Sequence, residues 1–367
     1  MPHSKFLYAA FEILNETYVL IAGGPSACLL LLRNSPTFKS LLVASVTLSA
    51  GIYCLSTKRG STPSSLPDRK NDESVVLVTG CDTGLGFSLA EHLVQEGFVV
   101  VAGFLKLDSL GSQLLPQTVI KTRLDITDCE SVKSTVKIVE DLLDTHPNYK
   151  FHALVNNAAT MVFGEFEWLT ERLIDLQIQV NLTGTLKLTK AFCPILRMHK
   201  GRLITVTSHC SQATLPGLSV YGATKSALSA FSDGLRVEMA KYGVKVITFI
   251  PGSFPTESNI MSKQLNYVEE MHDGFTEEQH EFYGDYFKRY NVYLSFLTGP
   301  TVPKKINNNE LYNKFDNCLL DECPSSVYKV EDWRYFMYHL LFRFSPVCFR
   351  DYFVKKFMQM PDYHNNK

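Results

Sequence analysis

The sequence predicts an α/β fold, a doubly wound parallel sheet with helices on both faces. Three observations predict it. From Val75 onward, short β-branched runs alternate with longer amphipathic stretches, the pattern of βαβ crossovers. A glycine cluster, Thr79-Gly80-Cys81-Asp82-Thr83-Gly84-Leu85-Gly86, stands where the first run gives way to the first helical stretch. No repeat of fixed period interrupts the alternation, which excludes a solenoid.

The strand candidates, in order, are 75–79, 98–102, 119–124, 153–156, 203–207 and 244–250. The first two, Val-Val-Leu-Val-Thr and Phe-Val-Val-Val-Ala, are almost wholly apolar, as strands covered on both faces should be. Helical patterns fill the gaps at about 84–96, 129–143, 170–198 and 220–241. A length of 367 residues allows one large α/β domain plus appendages. A net charge of -1 gives no reason to expect a nucleic-acid partner. The 9 cysteines are scattered without a Cys-x-x-Cys pair, so neither a disulfide framework nor a zinc site is indicated, and no metal is expected.

The N-terminus departs from this pattern. Residues 18–32 and 41–55 are uncharged apolar runs of about fifteen residues each, at or below the length that spans a bilayer. Arg33 and Lys39 lie between them, and Lys58, Arg59, Arg69 and Lys70 follow. Residues 1–57 are therefore read as a membrane anchor of one or two transmembrane helices, and 58–73 as a Ser- and Pro-rich linker. The heavier positive charge after the second run places the rest of the chain on the cytosolic side. Residues 74–256 are expected to form the alternating α/β domain, which the motifs below mark as dinucleotide-binding and catalytic, and 257–367 a C-terminal helical region, which the resemblance named below implies is a substrate lid with a membrane-proximal part.

Glycine is needed between the first strand and helix because the turn takes unusual backbone angles and a side chain would block a pyrophosphate. The anion would rest on the free N–H groups at the positive end of the helix. Thr79, Gly80, Asp82, Thr83, Gly84, Leu85 and Gly86 are thus candidate cofactor residues. Farther on, Ser208 precedes Tyr221-x-x-x-Lys225 by thirteen residues, at the end of the fifth strand. Tyr352/Lys356 and Tyr363/Lys367 match the same spacing without that context. On a helix, Tyr221 and Lys225 share a face. An ammonium about 4 Å from a phenol of pKa near 10 favours the phenolate by roughly 4 kcal/mol at an effective dielectric of about 20. That suits acid–base work. Taken singly, Tyr221 reads as a core ring, Lys225 as a solvated charge, Ser208 as a strand-end hydroxyl and Cys210 as a buried thiol. Together with the glycine cluster they point to catalysis.

These motifs resemble the short-chain dehydrogenase/reductase family over about residues 75–256, in its retinol dehydrogenase and 17β-hydroxysteroid dehydrogenase branch. The residues that carry the resemblance are Thr79, Gly80, Gly84 and Gly86, Asp125-Ile126, Asn156-Asn157-Ala158-Ala159, Asn181, Ser208, Tyr221, Lys225 and Pro251-Gly252. It implies a Rossmann-type sheet and a nicotinamide cofactor held also by Asp125 at the adenine, Ile126, Asn157, Ala158, Tyr221, Lys225, Pro251, Gly252 and Thr256. It further implies that Ser208 orients the substrate oxygen, Lys225 binds the nicotinamide ribose, and Asn181 positions a proton-relaying water. Two departures stand out. Ala159 replaces a customary glycine, and the second strand ends Gly103-Phe104-Leu105-Lys106 without an acidic residue for the adenosine ribose. Lys106 could meet a 2′-phosphate, but Asp82 would repel it, so NAD is expected over NADP. Family members commonly dimerise through long helices, and 170–198 with 220–241 offer such a face.

After Thr256 the alternation ends. Phe282, Tyr283, Tyr286, Phe287, Tyr290, Tyr293 and Phe296 recur at helical spacing, as a core stripe or, in the family, a substrate lid. An aromatic lid suits a large, flat, apolar alcohol or ketone. The stretch from Trp333 to Phe353 mixes aromatics with arginines, a composition that fits a membrane interface or packing on the lid. The resemblance implies a membrane-bound oxidoreductase of the endoplasmic reticulum acting on a steroid, ecdysteroids included, or on a retinoid. A non-catalytic sterol-sensing member of the same fold is the rival expectation.

Overall fold

The computed structural model describes residues 73–254, 257–295, 302–331, 333–358, 360–361 and 363. Both N-terminal apolar runs, nearly all of the linker, Thr256 and Phe296 lie outside them. The described residues all belong to the second of two compact units, residues 69–367. Among them, no helix is long and apolar enough to cross a membrane.

Seven parallel strands make one sheet: β1 Ser74–Thr79, β2 Val99–Phe104, β3 Ile120–Arg123, β4 Lys150–Asn156, β5 Arg202–Val206, β6 Lys245–Ile250 and β7 Val327–Lys329. Their order is β3-β2-β1-β4-β5-β6-β7. The order reverses between β1 and β4, the place where open parallel sheets take ligands beyond the carboxyl ends of their strands. The helices are α1 Gly84–Gln95, α2 Leu110–Leu114, α3 Cys129–Thr145, α4 Glu171–Gln177, α5 Thr185–His199, α6 Ser219–Ala240, α7 Gln264–Asp273, α8 Glu277–Ser295, α9 Asn309–Leu320, α10 Trp333–Phe344 and α11 Val347–Met358.

Successive side chains of a strand point to opposite faces, and β1 shows both. Val76 and Val78 enter one core with Phe87 and Leu93 of α1 and Phe315 and Leu319 of α9. Val75 and Leu77 enter the other with Val139 of α3, Phe192 and Leu196 of α5 and Met239 of α6. The doubly wound reading holds, with three additions. The helical stretch 170–198 is not uniform, since a π-helical turn, Ile178–Gly184, separates α4 from α5. Strand β7 and helix α9 extend the sheet and its cover. Arg202 ties them down by donating to the carbonyls of Cys318 (2.8 Å) and Asp321 (2.7 Å) at the end of α9.

The aromatic stripe lies on α8. Tyr286, Phe287 and Tyr290 are buried while Phe282 faces out. Trp168, from a short turn between β4 and α4, meets Tyr283, Tyr286, Phe287 and Tyr290 edge to face at centroid distances of 4.8–5.7 Å. The stripe is thus chiefly core of the region that follows β6, organised around one tryptophan. Trp333, Phe336, Val347, Phe349 and Tyr352 of α10 and α11 are exposed.

Candidate active site

The cradle is built by the end of β1, the start of α1 and the end of β4. The Thr79 hydroxyl accepts the N–H groups of Asn157 (3.0 Å) and Ala158 (2.9 Å). In return the Asn157 amide donates to the carbonyls of Thr79 (2.7 Å) and Gly80 (3.3 Å), clasping the glycine loop to β4. Gly84 has φ +61°, and a Cβ there would stand 1.8 Å from the Ser258 carbonyl oxygen. A Cβ on Gly86 would stand 2.2 Å from the Gly80 oxygen and 2.5 Å from Asn157 Nδ2. Thr83 precedes α1 in extended conformation and makes no side-chain bond to the helix, which leaves the first-turn N–H groups uncapped. Leu85 packs on the core. Loop, helix start and glycines together fit a dinucleotide's pyrophosphate.

Asp82 answers the missing acid of the second strand. Its carboxylate accepts the N–H groups of Leu105 (2.9 Å) and Lys106 (3.1 Å), directly after β2. Asp125, after β3, accepts the N–H (2.9 Å) and hydroxyl (2.6 Å) of Thr127. Buried Ile126 lies beside the π turn, its carbonyl 2.9 Å from where a Cβ on Gly184 would be. Pro251 and Gly252 follow β6 at the same end of the sheet.

Ser208, Tyr221 and Lys225 come together where β5 ends and α6 begins. Ser208 hydrogen-bonds the Tyr221 phenol and accepts the Cys210 N–H at 3.2 Å. Lys225 is buried, donates to the Val206 carbonyl at 3.0 Å, and lies 5.8 Å from the centre of the Tyr221 ring. Burial raises the Tyr221 phenol well above its ordinary value, nearby Cys210 adds to this, and the Ser208 bond opposes it. Burial brings Lys225 down to about 8. This corrects the simple electrostatic pairing expected from the sequence. A strand-end carbonyl takes the ammonium, whose Nζ lies 5.8 Å from the ring centre, and burial is the largest influence on both groups. Held in its protonated form, the phenol is a proton donor.

Asn181 sits fully buried in the π turn. Its oxygen accepts the Thr160 N–H (2.7 Å), and its amide donates to the Thr160 carbonyl (2.8 Å) and the Thr224 hydroxyl (3.2 Å). The Thr224 hydroxyl donates in turn to the Tyr221 carbonyl at 2.7 Å. Asn181 thus reaches the helix of Tyr221 through Thr224, not the ring itself. Such π turns recur at functional sites. Thr160 and Thr224 were missed in the sequence; the available signal was a hydroxyl within the Tyr-x-x-x-Lys turn. Tyr221 also belongs to the apolar cluster built around Trp168 and α8, with Phe163, Leu218, Met261, Tyr267 and Tyr290. The Tyr290 hydroxyl is buried there with no hydrogen-bond partner among the described residues.

Residues 74–266 match the family described as short chain dehydrogenase. Estradiol 17-beta-dehydrogenase 2 of Mus musculus is 33% identical over 355 residues, covering 94% of this chain and 88% of that protein. The mitochondrial D-beta-hydroxybutyrate dehydrogenase of Rattus norvegicus is 40% identical, but over 199 residues, 52% of this chain and 57% of that protein. Among solved structures, a short-chain dehydrogenase from Streptomyces avermitilis aligns with a TM-score of 0.54 at 26% identity, over 73% of this chain and 92% of that one.

Proposed function

The chain belongs to the short-chain dehydrogenase family, NAD(P)-dependent oxidoreductases acting on CH–OH groups, and from that premise we propose that its substrate is a steroid alcohol or ketone. One observation carries the reading: Tyr221, beside Ser208, belongs to an aromatic cluster that also contains the buried Tyr290 hydroxyl, which has no hydrogen-bond partner among the described residues. A buried hydroxyl without a partner is costly, and a second oxygen on a large flat substrate would relieve it. A steroid oxygenated at both ends offers one; a retinoid with a single oxygen does not. The similarity to estradiol 17-beta-dehydrogenase 2 runs through the lid, whereas that to hydroxybutyrate dehydrogenase covers about half the chain.

When bound, the nicotinamide accepts or supplies the hydride. The Ser208 hydroxyl orients the substrate oxygen beside Tyr221. The protonated phenol donates to a ketone oxygen in reduction, and its conjugate base takes the hydroxyl proton in oxidation. Lys225 holds its place through Val206 and faces the ring, and Asn181 fixes the start of α6 through Thr224. Thr256, outside the described residues, completes the proposed cofactor set. The decisive experiment incubates the full chain with NAD or NADP and a panel of steroids, ecdysteroid precursors and retinoids, following reduced cofactor. Turnover confined to retinoids, or absent throughout, would overturn the steroid reading. In the same panel, Tyr290→Phe is expected to raise KM about tenfold for doubly oxygenated steroids and to leave singly oxygenated alcohols unchanged.

NAD is favoured over NADP because the Asp82 carboxylate stands at the end of β2, where a 2′-phosphate would approach it. Asp82→Asn is expected to shift the ratio of kcat/KM for NADPH over NADH upward by about tenfold, on the order of one lost charge repulsion. An unchanged ratio would remove Asp82 from cofactor choice. Membrane attachment is supported by the apolar runs before residue 57 and the exposed aromatics of α10 and α11, consistent with the endoplasmic reticulum and a lipid-dissolved substrate. Exposed Met198 and Val237 next to or on the long helices α5 and α6 support a homodimer face there.

A further inference from the structure

We propose that His209, Glu331 and His339 form a binding site for one divalent transition ion of the zinc class. His209 lies more than a hundred residues before the other two, and the three come from three places: the short turn after Ser208, the residue after β7's trailing Val330, and α10. One donor atom from each lies within 4.8 Å of the others. Glu331 bonds His339 Nδ1 and stands 3.9 Å from His209 Nδ1. Two imidazoles and a carboxylate are the ligand chemistry such ions take.

The geometry at His209 distinguishes a metal site from a plain hydrogen-bonded cluster. Its Nε2 lies 3.2 Å from the Val330 carbonyl oxygen, which can only accept, so Nε2 carries the proton. Nδ1 then presents a lone pair, and that atom is buried without a hydrogen-bond partner among the described residues. It faces a carboxylate oxygen, another acceptor. Two facing acceptors with no proton between them repel, and a cation placed between them removes that cost. An outward N–H held by a backbone carbonyl is also the arrangement that fixes a ligating histidine. The ring is further held by stacking on Tyr335, 5.1 Å between centroids. Zinc bonds of about 2.0–2.2 Å require the three donors to close in modestly, which rotation of His339 on α10 supplies. On binding, the His339 proton moves from Nδ1 to Nε2, so no outside acceptor is needed.

Because His209 follows Ser208 directly, the ion would pin α10 against the rim of the candidate active site. The ligands are absent from the cysteine spacing considered in the sequence. The test uses the full chain, stripped with a chelator and titrated with Zn²⁺ against a chromophoric competitor. One ion per chain is expected, with His339→Ala and Glu331→Gln each weakening binding at least about tenfold. Co²⁺ loaded into the unsubstituted protein should show a nitrogen- and oxygen-ligated spectrum with no thiolate charge-transfer band, which separates this site from the cysteines and does not depend on either variant folding. Coincident Zn²⁺ titrations of the parent chain and both variants, or a thiolate band, would overturn the proposal. No turnover is read, so either result leaves the dehydrogenase reading intact.

Discussion

Tyr221→Phe is expected to lower kcat by about 10²–10⁴-fold, the range that a positioned proton-transfer group supplies, with the Kd for NADH changed less than about threefold. The expectation follows from how the phenol is held. Tyr221 is 6% exposed and packed in the apolar cluster around Trp168, so phenylalanine retains the packing. Ser208 keeps its bond from the Cys210 N–H and is not orphaned. What disappears is the one acidic hydrogen that Ser208 places beside the substrate oxygen. Stopped-flow turnover with fluorescence titration of NADH separates chemistry from binding, and thermal unfolding checks that the fold survives. Turnover within tenfold of the parent would refute the assignment and favour the non-catalytic reading of this fold.

The second large effect is expected at Gly86. In Gly86→Val, the new Cβ would meet the Gly80 carbonyl at 2.2 Å and Asn157 Nδ2 at 2.5 Å. Backbone cannot rotate away as a flexible side chain can, so the glycine loop must shift and the Asn157 clasp must open. Overpacking of this kind costs about 1–3 kcal/mol, and the displaced loop loses the surface that meets the pyrophosphate. NADH affinity should fall at least about a hundredfold. Gly234→Ala is the matched control, since nothing lies within 4 Å of a Cβ there. An alanine inside α6 should leave NADH binding unchanged and raise stability by about 0.5–1 kcal/mol. Equal NADH affinity in Gly86→Val and the parent would place the cofactor elsewhere.

Strands β1, β2, β5 and β6 were legible because each is a mostly buried apolar run rich in β-branched residues, whereas β4 and the short, half-exposed β3 were placed by the alternation around them. The starts of α1 and α3 match the reading to the residue. Strand β7 was not legible: three residues, Val-Tyr-Lys, carry no period, and only register against β6 makes them a strand. The π turn was hidden because the apolar pattern passes through it; the extra residue is accommodated by Asn181 meeting Thr160, a contact between distant segments. The glycine loop and the Ser208–Tyr221–Lys225 group could be located from spacing alone. Their electrostatics could not, since spacing is silent on burial, and burial reverses the expected shift at Tyr221. The aromatic stripe was visible, whereas its organiser, Trp168, lies more than a hundred residues upstream.

The outermost strands, β3 and β7, are only four and three residues long. Each therefore offers few open peptide groups to a stray chain seeking to extend the ladder, a common defence against aggregation. Sheet continuation at these two edges is disfavoured, which turns association towards contacts between side chains.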